Sequence, residues 1–368
     1  MTYTQQDIDR AVAAGALSPA ARDALLAFLD NSEPPSDPDA EQFRLLTGFN
    51  DIFVALACLL LLVPLAMIGS WWSLIAGAGL AWALSEWFTR RRRMALPAIV
   101  LLIAFGLFSW GAASALMQLT PFYKASIETI TQSTGYSAEL RAQNPNLPRT
   151  FTYVVQPWLP AVQAIAALVA LTATALHWRR FRVPVTLAAG CAALVATLLF
   201  AASFAGVSQS ALLALAFLCG LSVFALAMRF DMKDRTRTTR QTDIAFWLHL
   251  LAAPLVVHPL FQLLGGGAGQ GFSSPWAAPA AIAVFLLLVL VALAIDRRAF
   301  LVASLAYMLS AIVALFRMEN STMAMLLSAL FLGGLLVSLS AGWPVLRRTL
   351  LQRLPVAWRA RLPAHQPG

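Results

Sequence analysis

Charge is scarce in this chain, and so are the residues that build catalytic and metal centres. Asp, Glu, Lys and Arg make up 12% of the 368 residues, about half the share typical of a soluble domain. There are four histidines and three cysteines. Cys58, Cys191 and Cys219 each fall within an apolar stretch. That excludes a loop disulfide framework or a cysteine-rich metal site and leaves them as small buried hydrophobes. No His-Glu-x-x-His and no Gly-x-Ser-x-Gly occurs, so neither a zinc protease nor a serine-hydrolase elbow is expected. The glycine-rich run Gly265 to Gly271 lacks the Lys-Ser/Thr that ends a phosphate loop. No metal and no cofactor is therefore expected. Lysine is nearly missing: Lys124 and Lys233 are the only two among 26 basic residues.

What fills the space instead is apolar. Hydrophobic residues make up 60% of the chain and mean hydropathy is +0.73. Ten apolar stretches are readable, at 51–69, 71–88, 95–119, 158–177, 184–204, 210–228, 244–264, 276–295, 299–316 and 322–342. About 20 such residues in a helix cover a ~30 Å hydrocarbon core. The expected fold is all-α, a polytopic transmembrane bundle of about ten spans. Trp71, Trp72, Trp110, Trp158, Trp276 and Trp343 lie near the ends of these stretches, where interfacial aromatics belong. Small residues crowd 164–175, 188–193 and Gly333-Gly334, which predicts close helix packing. Asn320-Ser321-Thr322 matches a glycosylation sequon, but it abuts a span and reads as a chance match.

The formal charge of +9 would point to nucleic acid in a soluble chain, but its distribution excludes that partner here. All but four of the basic residues fall in alternate loops. One set holds the N-terminus, then Arg90, Arg91, Arg92 and Arg93, then Arg179, Arg180 and Arg182, the stretch Arg229 to Arg240, Arg297-Arg298 and the tail from Arg347 onward. The other holds only Lys124, Arg141, Arg149 and Arg317. Lys and Arg stay on the cytoplasmic side of a bacterial inner membrane, so these arginines are topology anchors. Both termini are then expected to be cytoplasmic.

Three regions lie outside the spans. Residues 1–42 read as an acidic cytoplasmic helix pair and linker. Gly15 stops the first helix, and Ser18-Pro19 opens the second. Through Arg44 this head carries eight acidic and three basic residues; it is expected to dock on the basic loops of its own bundle, to meet a protein partner, or simply to be solvated. No cleavable leader is expected, because the start is polar. Residues 43–343 form the bundle, with the longest loop, 120–157, external as a lid or a plain connection. Residues 344–368 form a basic cytoplasmic tail. Leu346, Leu350 and Leu354 share one helical face there, among Arg347, Arg348 and Arg353, as in a helix lying on anionic lipids.

Ionisable groups inside spans are costly and point to function. The seventh span is the richest, with Asp243, Trp247, His249, Pro254, His258, Pro259 and Gln262. At ~100° per residue, Asp243, Trp247, Pro254 and His258 fall within about 60° of one another, and His249 lies opposite His258. Pro254 and Pro259 remove two backbone donors and are expected to kink the helix, freeing carbonyls toward a cavity. The stripe therefore reads either as a transport pathway, with His258 as a proton-sensitive gate, or as hydrogen-bonded packing with Asp243 capping the helix. Glu86 reads either as a proton relay or as the partner of Arg90 one turn on. The pathway candidates are Asp243, His249, His258, Gln262 and Glu86.

Three segments carry a resemblance. They are Asp7-Ile8-Asp9-Arg10-Ala11-Val12 through Leu17-Ser18-Pro19, the run from Phe43 to Asp51, and the run from Asp243 to Pro254. Together they resemble a class of bacterial multi-pass inner-membrane proteins of unknown function. That class implies the layout and carries over no functional residue. A small-solute transporter or permease is the favoured expectation. A membrane sensing or assembly protein acting through head and tail is the alternative, with a membrane-embedded enzyme behind both.

Overall fold

The computed structural model describes residues 5–32, 49–121, 158–234, 239–267, 271–272, 276–316 and 321–355. Most of the 120–157 loop, the linker after Ser32, Arg317 to Asn320 and the tail beyond 355 lie outside the described residues. The chain divides into two compact units between Phe43 and Arg44.

The first unit is a helix pair, α1 (Gln5–Ala13) and α2 (Pro19–Ser32). Gly15 turns the chain at φ 72°, a left-handed conformation that costs glycine nothing. The Ser18 hydroxyl accepts from Ala21 N at 3.1 Å and satisfies one free donor of α2. Arg22 Nε, on α2, donates to Asp9 Oδ1, on α1, at 2.8 Å.

Among the described residues the second unit is helical apart from a two-residue ladder. Its helices are α3 (Phe49–Ile68), α4 (Trp71–Ser85), α5 (Ala95–Gln118), α6 (Leu159–Phe181), α7 (Pro184–Phe204), α8 (Gln209–Lys233) and α9 (Arg240–Leu263). Then follow α10 (Ala277–Ile295), α11 (Ala299–Phe316), α12 (Ser321–Ala341) and α13 (Trp343–Arg353). Strands β1 (Gly266–Gly267) and β2 (Gly271–Phe272) pair antiparallel after α9. Among the described residues seven helices, α3 and α5 to α10, are long and apolar enough to cross a membrane. An eighth span results if Leu326–Ala341 and α13, bent by 68°, count as one. These helices fit a multi-pass membrane protein. α4 is short, at 15 residues, because it gives way to a π-helical turn at Glu86–Arg91.

Short connections set consecutive helices antiparallel. α3, α4 and α5 form one cluster, α7, α8 and α9 a second, and α9, α10 and α11 a third. α9 belongs to two clusters and is the most enclosed helix, with 56% of its span window buried against 17% for α8. It stays a single helix across Pro254 and Pro259. Close approach depends on small residues, because lipid supplies little hydrophobic drive between helices. A Cβ on Gly220 of α8 would sit 2.9 Å from the backbone carbon of Leu255 on α9. Ala166, Ala167, Ala170 and Ala173 are buried on α6. Gly333 and Gly334, by contrast, are exposed with nothing within 4 Å of a Cβ, so that pair makes no close contact among the described residues.

The two ends of the bundle turn differently. At the basic-poor end the left-handed positions are Gly69, Gly206 and Gly265. At the arginine-rich end they are Arg93, Arg182 and Asp296, with φ 53°, 53° and 57°. A side chain there costs roughly 1–2 kcal/mol. For Arg93 and Arg182, a cation at a helix C-terminus offsets part of that.

Two segments depart from the sequence reading. α8 continues to Lys233, five residues beyond the expected span end at 228, and carries Asp231 inward. α13 turns Trp343, Arg347 and Leu351 into the bundle and leaves Leu346 43% exposed. Arg347, expected among lipid-facing arginines, instead lies 3.7 Å from Asp296. Burying Trp343, whose Nε1 donates to Asp296 Oδ1 at 2.9 Å, sets that rotation.

Candidate functional site

The site begins with the α8–α9 hairpin. Asp234, just past α8, accepts through Oδ2 from Thr239 N at 2.7 Å, Thr239 Oγ1 at 2.6 Å and Thr242 Oγ1 at 2.9 Å. One buried carboxylate thus clamps the turn, and Thr239 caps α9 by accepting from Gln241 N. The clamp fixes the register of α8 against α9.

That register brings Asp231 and His249 together. His249 Nε2 lies 2.8 Å from Asp231 Oδ2. The other oxygen, Oδ1, accepts from Arg297 Nη2 at 2.7 Å. Arg297 leaves α10 through the left-handed turn at Asp296, and its backbone N–H is tied to Ala292 O. All three side chains are 3% exposed or less. The Phe224 ring meets His249 edge-on, with centroids 5.4 Å apart, and packs in turn on Phe300. A buried carboxylate beside a guanidinium is ionised and only accepts, so His249 Nε2 carries a proton toward it. With neutral imidazole the cluster carries no net charge. The three side chains thus form one buried polar cluster, a fixed cation and an imidazole sharing one carboxylate.

The other candidates lie around this centre or away from it. Asp243 is half-buried in the first turn of α9, within electrostatic reach of Arg297, Arg240 and Asp234. His258 and Pro254 are exposed, so the Asp243–His258 stripe runs from half-buried to exposed. His258 Nδ1 pairs with the hydroxyl of Tyr307 on α11, and Tyr307 stacks on Phe261. Pro259 is buried and Gln262 half-buried. Glu86 takes a bidentate grip from Arg180 on α6, at 2.6 and 3.1 Å, and a third bond from Arg90 at 3.3 Å. Of the five pathway candidates the structure sets Asp243 and His249 near Arg297, while Glu86 and His258 each have a separate partner.

The arginine anchors also divide. Arg91 lies over the Trp87 ring at 5.0 Å. Arg179 and Arg182 line a cleft of about 590 Å³ with Trp178, Arg240, Gln241 and Ile244. Among the described residues no three His, Cys, Asp or Glu side chains converge as a metal site.

Sequence reasoning missed Asp231 and Arg297 because both sat in stretches read as basic loops. One signal was available for the first. Gly220, Val223, Ala227 and Asp231 are all buried on α8, and their spacings of three and four continue one helical face. Nothing comparable marks Arg297 over Arg298. Compared with family models, curated proteins and solved structures, the chain matches none.

Proposed function

We propose that this chain is a bacterial inner-membrane transporter or permease for a small solute, in which Asp231, His249 and Arg297 couple movement to protonation. The observation that carries the reading is the buried carboxylate shared by a fixed cation and a titratable ring. Such clusters are expensive among helices of membrane-spanning length and serve proton relays and substrate pathways. Histidine is the side chain whose charge changes near neutral pH. In this reading, loading His249 loosens the contact between α8, α9 and the end of α10, and unloading restores it. Asp243, half-buried and within electrostatic reach of Arg297, serves as a second carboxylate.

We read the full threading as ten spans, with both termini cytoplasmic and anionic lipid under the arginine-rich end. The alternation of glycine turns with charged turns supports it. The test uses the full chain in proteoliposomes loaded with a pH-sensitive dye, challenged with amino acids, organic acids and sugars. Solute-dependent proton movement that His249→Asn removes, at unchanged reconstitution yield, is the expected result. Movement unaffected by His249→Asn would sink the reading, as would a panel that behaves as in protein-free vesicles.

A sensing or assembly role is the second reading, and the compact head unit favours it. Deleting residues 1–42 then removes a co-purifying partner; retention of the partner would count against it.

A further inference from the structure

Three guanidinium groups open on one cleft with no carboxylate among them. Arg179 and Arg182 close α6, Arg240 opens α9, and Trp178, Gln241 and Ile244 complete the lining. The run Arg179-Arg180-Phe181-Arg182 splits here. Arg180 is spent on Glu86, whereas Arg179 and Arg182 have no carboxylate partner among the described residues. Arg240 Nη1 donates to the Arg182 carbonyl at 3.5 Å, which ties the third cation to the same rim. Gln241 Oε1 is buried with no donor among the described residues.

A topology anchor needs only water around it, and three cations around one space repel one another. The same arrangement suits a compact anion carrying more than one oxygen, since guanidinium forks match phosphate oxygens two at a time. The N-terminus of α9 adds its positive end to the same side. The cleft volume falls within the range of small-ligand sites. A bare phosphate leaves room over, and Trp178 and Ile244 also line the cleft beside the space for a glycerol or similar group.

We propose that this cleft binds a phosphate group, presented either by an anionic phospholipid at the membrane surface or by a soluble phosphoester. The site stands apart from the proton-coupling reading and survives its failure. Arg182 gives a clean variant. It sits at φ 53°, where glycine is at ease, so Arg182→Gly removes a guanidinium and relieves the backbone.

The experiment measures thermal unfolding of the full-length protein in neutral phosphatidylcholine nanodiscs. It is repeated with added phosphatidylglycerol, and separately with inorganic phosphate and with glycerol 3-phosphate in solution. The expected result is a rise in melting temperature from one of these sources. Apparent affinity should fall about tenfold or more in Arg182→Gly, as for one lost charged hydrogen bond. Arg179→Gln with Arg240→Gln should abolish it, while Arg90→Gln with Arg91→Gln, on the same end of the bundle, retains it. A rise with phosphatidylglycerol alone assigns the lipid, and one with the soluble compounds assigns a soluble ligand. No rise from any source overturns the site. So does a rise that Arg182→Gly leaves unchanged, or one lost equally in the Arg90/Arg91 control. If Arg179→Gln/Arg240→Gln does not reconstitute, Arg182→Gly alone decides.

Discussion

Asp231 accepts two charged or polar donors while shielded from both water and lipid, so its neighbours depend on it more than it depends on them. Asp231→Ala leaves Arg297 buried without its carboxylate, an arrangement that costs about 3–5 kcal/mol. We expect a large loss of melting temperature in detergent, read by the monodisperse fraction after heating. Arg297→Met added to Asp231→Ala should recover most of it, because an apolar side chain of similar reach needs no counter-ion. Glu86 accepts three bonds against two, yet its side chain is 31% exposed. Glu86→Gln should cost under about 1 kcal/mol in the same assay, because exposed ion pairs gain little over water. The glutamate was legible in the sequence as a partner for Arg90; its stronger bond to Arg180, 94 residues away, was not, because spacing reports only neighbours on one helix.

Helix pairs here are set by the smallest residues. Gly220 lies on the buried face of α8 and admits the backbone of Leu255. Backbone cannot rotate out of the way as a side chain can. Gly220→Ala should therefore cost roughly 1–3 kcal/mol and weaken the Asp231–His249 contact about three turns along the same face. Gly333→Ala meets open space and should stay within about 0.5 kcal/mol; parallel thermal unfolding of the two variants separates the cases. The small-residue runs in the sequence predicted close packing in general, and four alanines of α6 (Ala166, Ala167, Ala170 and Ala173) are buried. They singled out Gly333 and passed over Gly220, since a glycine becomes a contact only when another helix is brought to it. The tail helix teaches the same point. Its leucine spacing was visible, but the inward face is Trp343, Arg347 and Leu351, chosen by the Asp296 acceptor on a different helix.

For the whole molecule, the bilayer map and the bundle make one joint prediction. With Cys58, Cys191 and Cys219 replaced, Ser208→Cys should react with a membrane-impermeant thiol reagent on intact cells. Arg93→Cys should react only after the membrane is opened. The reverse pattern would invert the topology, and equal labelling of both would break the even span count. Seven of the ten apolar stretches return as membrane-length helices among the described residues, with ends shifted by up to five residues. The extension of α8 past 228 was not readable along the chain, because Asp231 and Lys233 resemble loop residues until Arg297 and His249 are known to be there.

The sequence alone determined that this chain carries several membrane-length apolar helices and which loops hold its arginines. Both follow from the transfer free energy of one segment at a time, so no folded structure is needed to read them. Only the tertiary structure decided which polar groups meet. Asp231 and Arg297 are 66 positions apart, and their contact depends on the rotation and register of α8, α9 and α10 against one another. Those are set by a clamped turn, a left-handed cap and a glycine, acting together in three dimensions.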